Sequence, residues 1–387
     1  MRLQQVVRIG RRAVLGAGAL ALAVGALAAV PGTGGADDRR SDWGAVYTLT
    51  NDPDGNELAA FPLDAKGRLG KPVFYPTCGD GTGGGLGNQG ALALSADGNF
   101  LYAVNAGSDN VSVFRLTRNG PQVIQVIDAG GKRPVSVAVQ KNRLYVLNAG
   151  GAAGDADNVV GFEVRGNGRL RALEGAKHAL SAANTAPAQV AFAPDGSALV
   201  VTEKATDTIT LIALDRRGLP ADAAAVPSVG RTPFGFEFSR DGFLVVSEAF
   251  GGAADASAVS SYWLDGDEGA LEPLSKSVPT TETAACWIAI TRNGEYAYTT
   301  NTGSDSITGY KLGRKGKLAR LTDDGVTAET GNAPTDLAVA GNRALFVLNR
   351  DDGSIGSYAI GAGGALKAVE VAGGLDGAFR PTGLIVR

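Results

Sequence analysis

Residues 233–263 read PFGFEFSRDGFLVVSEAFGGAADASAVSSYW. This stretch holds three short apolar runs, Phe234–Ser239, Phe243–Ser247 and Ala258–Leu264, which are rich in aromatic and β-branched residues. The turn signal Arg240-Asp241-Gly242 separates the first two runs. Short apolar runs bounded by glycine and aspartate predict consecutive antiparallel strands.

The same unit recurs along the chain. The distance is 53 residues from Pro134 to Pro187 and 46 residues from Pro187 to Pro233. Repeats of this length that consist of strands and turns predict the four-stranded blades of a β-propeller. The second strand of successive units reads LYAVN (101–105), LYVLN (144–148), LVVTE (199–203), LVVSE (244–248), AYTTN (297–301) and LFVLN (345–349).

The two ends of the chain supply one further blade between them. Residues 43–74 contain strand patterns but no inner strand, the one nearest the propeller axis, whereas residues 380–386 form an inner-strand pattern with nothing after it. Joining the ends removes exposed sheet edges. We therefore predict an all-β, seven-bladed propeller over residues 43–387, whose C-terminal strand closes the N-terminal blade.

The N-terminus has the features of an export signal. Arg11-Arg12 precedes the apolar run Ala13–Val30, which indicates a twin-arginine-type signal peptide over residues 1–36, followed by a linker over residues 37–42. An uncleaved membrane anchor is the alternative. Cleavage would remove four arginines and no acid, so the formal net charge would change from −3 to −7. A secreted or periplasmic, monomeric protein that does not bind nucleic acid is expected.

The composition limits the chemistry. The chain has one histidine and two cysteines, which argues against histidine-based catalysis and against a zinc site with several Cys or His ligands. No cofactor is expected, although oxygen ligands from Glu203 and Glu248 would suit Ca²⁺. Export favours a disulfide between Cys78 and Cys286, but the reach of the loop that carries Cys78 leaves free thiols open as well.

A polar residue ends the second strand of six units, and these residues are expected on one face near the channel mouth. Asparagine there can cap the following turn, or it can face a ligand. Glu203 and Glu248 with the adjacent Lys204 could supply a base and a positive charge, or Glu248 and Lys204 could form a rim salt bridge. The six residues are Asn105, Asn148, Glu203, Glu248, Asn301 and Asn349.

Two further features stand apart from the repeat. Glu237 occupies an inner-strand position that is small in most other blades, so it must be paired, solvated by channel water, or bound to an ion. Residues 77–90, TCGDGTGGGLGNQG, are too long and glycine-rich for a plain turn. This loop is either functional or a flexible crossover.

Several motifs resemble one known family. The LYVLN, AYTTN and LYAVN strands resemble the YVTN-type repeat, and VTEKATDTI (201–209), TPFGFEF (232–238) and VSEAFGG (246–252) are similar to an exported bacterial branch of the seven-bladed lactonases. That family includes the propeller-type 6-phosphogluconolactonase and carboxymuconate cyclase. The resemblance implies the propeller fold and hydrolysis of a cyclic ester.

The catalytic pattern that the resemblance implies is incomplete. Where the family has a histidine and two arginines, this chain has Ala188, Phe234 and Thr335, and the family glutamate matches Glu248. One hypothesis is a lactonase in which Glu248 is the base, Lys204 the electrostatic partner and Glu203 an aid to positioning. The other is a non-catalytic propeller that binds a protein, glycan or small ligand. The candidate ligand-binding residues are Gln189, Phe234, Glu237, Trp287, Asn105, Asn148, Asn301 and Asn349.

Overall fold

The computed structural model describes residues 44–64, 66–150, 155–265 and 270–387, so the predicted signal peptide and linker lie outside the described residues. Over these ranges the chain forms seven antiparallel sheets, which we number as blades 1–7. The strands of blades 1–4 are β1 (Ala45–Leu49), β2 (Glu57–Pro62), β3 (Val73–Pro76); β4 (Leu92–Leu94), β5 (Phe100–Asn105), β6 (Asn110–Thr117), β7 (Gly120–Asp128); β8 (Pro134–Gln140), β9 (Arg143–Asn148), β10 (Asn158–Val164), β11 (Leu170–Ala179); β12 (Pro187–Phe192), β13 (Ala198–Glu203), β14 (Thr208–Leu214) and β15 (Pro220–Pro227).

Blades 5–7 continue the pattern. Their strands are β16 (Pro233–Phe238), β17 (Phe243–Glu248), β18 (Ala258–Asp265), β19 (Ala270–Pro279); β20 (Ala285–Ile290), β21 (Tyr296–Asn301), β22 (Ser306–Leu312), β23 (Leu318–Arg320), β24 (Ala328–Glu329); β25 (Pro334–Ala340), β26 (Ala344–Asn349), β27 (Ser354–Ile360), β28 (Leu366–Gly373) and β29 (Thr382–Val386). The short helical segments Phe250–Gly252, Ala362–Gly364 and Gly377–Phe379 are 3₁₀ turns. No helix in the described part of the chain is long and apolar enough to cross a membrane.

The blades form a closed ring. Contacts between inner strands run from β4 to β8, β12, β16, β20, β25, β29 and back to β4. The predicted seven-bladed architecture is confirmed, and the stretch that revealed it forms β16, β17 and β18 of blade 5. Gly242, with φ of 87°, takes the left-handed conformation that the turn between β16 and β17 requires.

The C-terminal strand completes blade 1. β29 pairs antiparallel with β1, placing Val386 opposite Val46 and Ile385 opposite Tyr47. The N–H of Arg387 also donates to the carbonyl of Ala45 at 3.0 Å. This pairing confirms the predicted ring closure, and it leaves no inner edge on blade 1 for another chain to pair with.

Aspartates fix the segments that enter the inner strands. The side chain of Asp109, in the turn before β6, accepts a hydrogen bond from the N–H of Arg133 at 2.7 Å. Asp207 accepts in the same way from Thr232 at 2.6 Å, and Asp305 from Ala333 at 2.8 Å. Because each donor directly precedes an inner strand, these bonds join one blade to the next. The first of them also fixes the backbone of Arg133 beside the channel mouth.

Candidate functional site

The polar residues that end the second strands lie inside the blades. Antiparallel pairing places Asn105 opposite Asn110, Glu203 opposite Thr208 and Asn301 opposite Ser306. All six strand-end side chains are fully buried. We expected these residues to face the channel mouth together, but the structure places each one between its own second and third strands.

The asparagines among them join these two strands. The Nδ2 of Asn105 donates to Asn110 Oδ1 at 2.7 Å and to Ser112 Oγ at 2.8 Å. Asn301 makes the equivalent bonds to Ser306 at 3.0 Å and Thr308 at 2.9 Å. Asn148 and Asn349 likewise donate to the first residue of their third strands, Asn158 and Ser354. Hydrogen bonds of this kind supply a structural role for all four residues.

The two glutamates occupy the same position and accept more hydrogen bonds. Glu203 accepts from Thr210 Oγ1 at 2.6 Å, from Thr206 Oγ1 at 3.1 Å and from the Ser181 hydroxyl. Glu203 therefore contacts its own blade and the connection from blade 3.

Glu248 repeats this arrangement in blade 5. It accepts from the N–H of Gly230 at 2.9 Å, from Ser277 Oγ at 2.6 Å and from the Ser260 hydroxyl. Burial raises the pKa of Glu248, and these three donors oppose the rise. Its carboxylate is hydrogen-bonded within the blade and is not exposed to a ligand.

Lys204 points away from both glutamates. Its Nζ donates to the carbonyl oxygens of Gly87 and, at 3.2 Å, Pro187. The same atom lies 4.7 Å from the centroid of the Phe234 ring, within cation–π range. No ion pair joins Lys204 to a glutamate within the described ranges, so the rim salt bridge with Glu248 is absent there. Burial lowers the pKa of Lys204 to about 8.

Two aromatic rings lie beside this lysine. The centroids of Phe234 and Trp287 are 4.9 Å apart, with an angle of 53° between the ring planes. Trp287 Nε1 donates to the carbonyl of Asn88 at 2.6 Å. Both rings are buried at the start of inner strands, so they form an apolar floor under the loop that contains Asn88.

The glycine-rich loop, residues 77–90, crosses the channel mouth. The N–H of Gln89 donates to Ala188 in blade 4 at 3.0 Å, and its Nε2 donates to Ile288 in blade 6 at 2.7 Å. Asn88 Oδ1 accepts from Thr382 in blade 1 at 3.0 Å. Contacts to three separate blades show that the end of this loop is packed over the axis, and so it is more than a flexible crossover.

Several basic side chains lie at this loop. Arg133 Nη2 donates to the carbonyl of Gly85 at 3.5 Å, and its Nε is buried without a hydrogen-bond partner among the described residues. Arg350 Nη1 lies 4.0 Å from where a Cβ on Gly85 would stand. With Lys204 bonded to Gly87, these residues form what we call the cationic cluster: Arg133, Lys204 and Arg350. Cations around peptide carbonyls make a site suited to oxygen-bearing ligands.

Polar side chains also project from the inner strands. Gln189 Oε1 accepts from the N–H of Phe236 at 2.7 Å, and Glu237 Oε2 accepts from the N–H of Ile290 at 2.6 Å. Asp336 Oδ2 accepts from the N–H of Gly383 at 2.8 Å. Burial raises the pKa of Glu237 and of Asp336 to about 7. Each of these side chains binds the backbone of the next inner strand, so one oxygen of Glu237 is paired with a backbone donor.

The cysteines are not bonded to each other. Cys78 is exposed in the loop and Cys286 is buried in blade 6, and both are free thiols. The disulfide that export would favour is therefore not formed in this structure. Burial raises the pKa of Cys286 to about 12. Within the described ranges, no group of three His, Cys, Asp or Glu side chains is placed to hold a metal ion such as Ca²⁺.

An open cleft of about 510 Å³ lies elsewhere, between blades 4 and 5. Its lining includes Pro194, Asp195 and Trp263, whose ring is 42% exposed. None of the predicted site residues lines this cleft. We therefore place the candidate site at the cationic cluster, where charged and aromatic side chains converge.

Comparison with known proteins assigns the family. Residues 55–179, 156–287 and 280–372 match the model of the seven-bladed β-propeller lactonases. The chain belongs to this lactonase family. No curated protein matches the sequence.

Solved structures agree with this lactonase fold. The periplasmic gluconolactonase of Pseudomonas aeruginosa is 17% identical, with a TM-score of 0.67 over 89% of this chain and 98% of that one. A Bacteroides fragilis protein, provisionally assigned as a 6-phosphogluconolactonase, is 19% identical, with a TM-score of 0.69 over 91% of this chain and 100% of that one. At these identities the likeness concerns the fold.

In this lactonase-family propeller, the structure brings together some of the predicted residues and adds others. Lys204, Phe234 and Trp287 meet under the loop, whereas the strand-end residues lie separately inside their blades. Sequence reasoning missed Arg133 and Arg350. A signal for them was available, because Arg350 follows a strand-end asparagine as Lys204 follows Glu203, and Arg133 directly precedes an inner strand.

Proposed function

We propose that this protein is an exported lactonase that hydrolyses a small, sugar-lactone-like cyclic ester at the cationic cluster. The observation that carries the proposal is the environment of Lys204: an amine with a pKa lowered to about 8, held over the Phe234 ring and close to Arg133. Buried lysines with pKa values near neutrality are suited to general base catalysis. The name of the Pseudomonas relative, a gluconolactonase, supports the substrate class.

The proposed reaction uses the residues as follows. Neutral Lys204 removes a proton from a water molecule as the water oxygen attacks the lactone carbonyl. Arg133 and Arg350 stabilise the negative charge that develops on the carbonyl oxygen. The bond between the carbonyl carbon and the ring oxygen then breaks, and the Lys204 ammonium returns the proton to that oxygen. The product is the open hydroxy acid, which leaves a second proton to solvent.

The glutamates have a different part in this proposal. Glu203 and Glu248 are buried and accept several hydrogen bonds each, so we assign Glu203 to stabilising blade 4 and Glu248 to stabilising blade 5. Lys204 follows Glu203 directly in sequence, and Phe234 follows Pro233, the residue of β16 that pairs with Glu248 at the end of β17. The two glutamates thus position the groups that touch substrate.

The test is hydrolysis of a panel of sugar lactones by the mature protein, corrected for spontaneous hydrolysis. We expect kcat/KM to rise with pH through about 8, as Lys204 loses its proton. Lys204→Met should lower kcat at least about 100-fold, the usual scale of general base catalysis. Lys204→Arg keeps the charge but cannot act as the base, so it should be equally inactive. Lys71→Met, which changes an exposed lysine of blade 1, is the matched control.

A non-catalytic binding protein is the second candidate. Ala188 and Phe234 stand where the resemblance to the lactonases implies a histidine and an arginine, and the loop covers the cationic cluster. If this candidate is correct, titration calorimetry will detect lactone binding without turnover, and Lys204→Met will weaken binding. Turnover that Lys204→Met leaves unchanged would reject the proposed mechanism.

A further inference from the structure

The part of the loop above the cationic cluster is held by few bonds. We call residues 83–87 the lid. Gly83 and Gly87 lie at its ends with φ of 62° and 61°, in the left-handed region that favours glycine. The N–H groups of Gly85, Leu86 and Gly87 donate no hydrogen bond within the described part of the chain. The N–H of Gly83 donates to the carbonyl of Asn51 at 2.9 Å and that of Gly84 to Thr82 Oγ1 at 3.3 Å, so residues 85–87 are the part of the lid with no backbone donor bonds to break.

The residues on either side of the lid are firmly bound. Gln89 bonds Ala188 and Ile288, and the Asn88 carbonyl accepts from Trp287. On the other side, the N–H of Thr82 donates to Asn51 Oδ1 at 2.9 Å. Asn51 Nδ2 also donates to the carbonyl of Gly84 at 2.9 Å, so movement of the lid would be centred on residues 85–87.

The lid faces the cluster with its own peptide oxygens. The Gly87 carbonyl accepts from Lys204, and the Gly85 carbonyl accepts from Arg133 at 3.5 Å. Arg133 Nε, buried beside them, has no partner among the described residues. The carbonyl oxygens of Gly85 and Gly87 thus occupy the positions beside Arg133 and Lys204 where the oxygen atoms of a ligand would bind. Arg133 Nε is a further donor that such a ligand could use.

One side chain keeps the lid closed. Leu86 is buried, 9% exposed, in the apolar cluster that contains Ala106, Val135 and Leu147. The other lid residues are glycines and carry no side chain to pack. Burial of Leu86 is thus the main apolar contribution that opening would have to reverse.

We propose that residues 83–87 are a mobile lid that occupies the ligand site with the carbonyls of Gly85 and Gly87. A ligand displaces it by presenting oxygen acceptors to Lys204 and Arg133 while its apolar face lies on Phe234 and Trp287. This inference rests on the proposed function for the identity of the ligand. The lid itself is a property of the free protein and is tested without a ligand.

Cys286 provides the reporter, because it is buried beside Lys204 and Arg350 and its side chain bonds Thr302. The experiment measures labelling of Cys286 by a thiol reagent at pH 8, in a Cys78→Ser background that leaves a single thiol. Leu86→Ala should accelerate labelling at least tenfold, and the rate at low urea should not depend on urea, as expected for local opening. Leu86→Met, of similar volume, should restore slow labelling.

Leu375→Ala is the matched control, since Leu375 is a partly buried loop leucine that packs between blades 7 and 1. It should leave the labelling rate unchanged. The lid is refuted if labelling follows global unfolding at every urea concentration, or if Leu86→Ala accelerates it no more than Leu375→Ala does.

A second experiment, with a sugar lactone present, distinguishes this inference from the proposed function. If the closed lid competes with substrate, Leu86→Ala should lower KM for a sugar lactone by about the factor by which it speeds labelling. Labelling of Cys286 through local opening, without any lactone hydrolysis, would support the lid and reject the lactonase function. Hydrolysis with labelling only through global unfolding would support the lactonase and reject the lid.

Discussion

The strand-end glutamates are fully buried and the residues of the cationic cluster are half-buried, and the two sets differ in how their charges are satisfied. Glu248 accepts three hydrogen bonds from its own blade and the connection that precedes it. In the cluster, Lys204 has a pKa lowered by burial and Arg133 has a nitrogen with no partner among the described residues. Fully satisfied charges stabilise a fold, whereas incompletely satisfied ones indicate where a ligand binds.

Glu248→Ala should have the largest effect on stability. It leaves the N–H of Gly230 and the hydroxyls of Ser260 and Ser277 without their acceptor, and we expect a loss of about 3 kcal/mol or more in the free energy of unfolding. Urea denaturation measures the loss. Glu248→Gln keeps one acceptor oxygen and should lose less, about 1–2 kcal/mol. Either variant, once folded, should retain kcat; a specific loss of kcat in Glu248→Gln would make Glu248 a catalytic residue.

The second-largest expected effect is a pH dependence of stability caused by the acids of the inner strands, Glu237 and Asp336. Burial raises the folded-state pKa of Glu237 to about 7, above its value in the unfolded chain, so the folded protein holds a proton that the unfolded chain has released between about pH 4.5 and 7. The burial of Glu237 therefore opposes folding more strongly as pH rises through this window. The free energy of unfolding should fall from pH 5 to pH 8 by roughly 1 kcal/mol or more.

Glu237→Gln is the matched variant for this effect, because its amide oxygen can still accept from the N–H of Ile290. Its stability should depend less on pH than that of the wild type, with the remaining slope due in part to Asp336, whose pKa is raised in the same way. Equal slopes in wild type and variant would show that Glu237 is ionised in the folded protein.

Lys204→Met should have a small effect on stability, in contrast to its effect on kcat. The substitution removes a charge whose burial is unfavourable and keeps an unbranched side chain against Phe234. We expect the free energy of unfolding at pH 7 to change by less than about 1 kcal/mol, or to rise. A loss of stability as large as that in Glu248→Ala would show that Lys204, like Glu248, mainly stabilises the fold. The contrast between the glutamates and the cationic cluster would then be wrong.

Cys78→Ser should have the smallest effect, within about 0.5 kcal/mol, because Cys78 is an exposed free thiol. Thiol titration of the unfolded, unreduced wild type should find two free thiols. A loss of 2–5 kcal/mol on substitution, together with no free thiols, would instead show a disulfide to Cys286 and a loop fixed covalently across the channel mouth.

The architecture could be predicted from sequence because its signals are local and repeated. Each blade repeats apolar runs and Asp-Gly-type turns, and the inner strand at the C-terminus has no partner unless the ring closes there. Lys204 was also identified, since it follows Glu203, which replaces the usual strand-end asparagine. These features need only the chain's own periodicity.

The environment of the site could not be predicted in the same way. Glu248 is a charged residue in sequence, but Gly230, Ser260 and Ser277, which satisfy it, lie 12 to 29 residues away and show no pattern of their own. The path of residues 77–90 depends on contacts to blades 1, 4 and 6, which a glycine-rich sequence does not encode in its periodicity. The approach of Arg133 and Arg350 to Gly85 depends on that path.

The pairing of β29 with β1 also sets an order of events during folding. Blade 1 needs both β1 and β29, so its sheet stays incomplete until Thr382–Val386 have been synthesised. Contacts between such distant residues form slowly. A nascent chain would thus carry an unpaired β1 edge until β29 is made, and a chain that ends before β29 would keep that edge open.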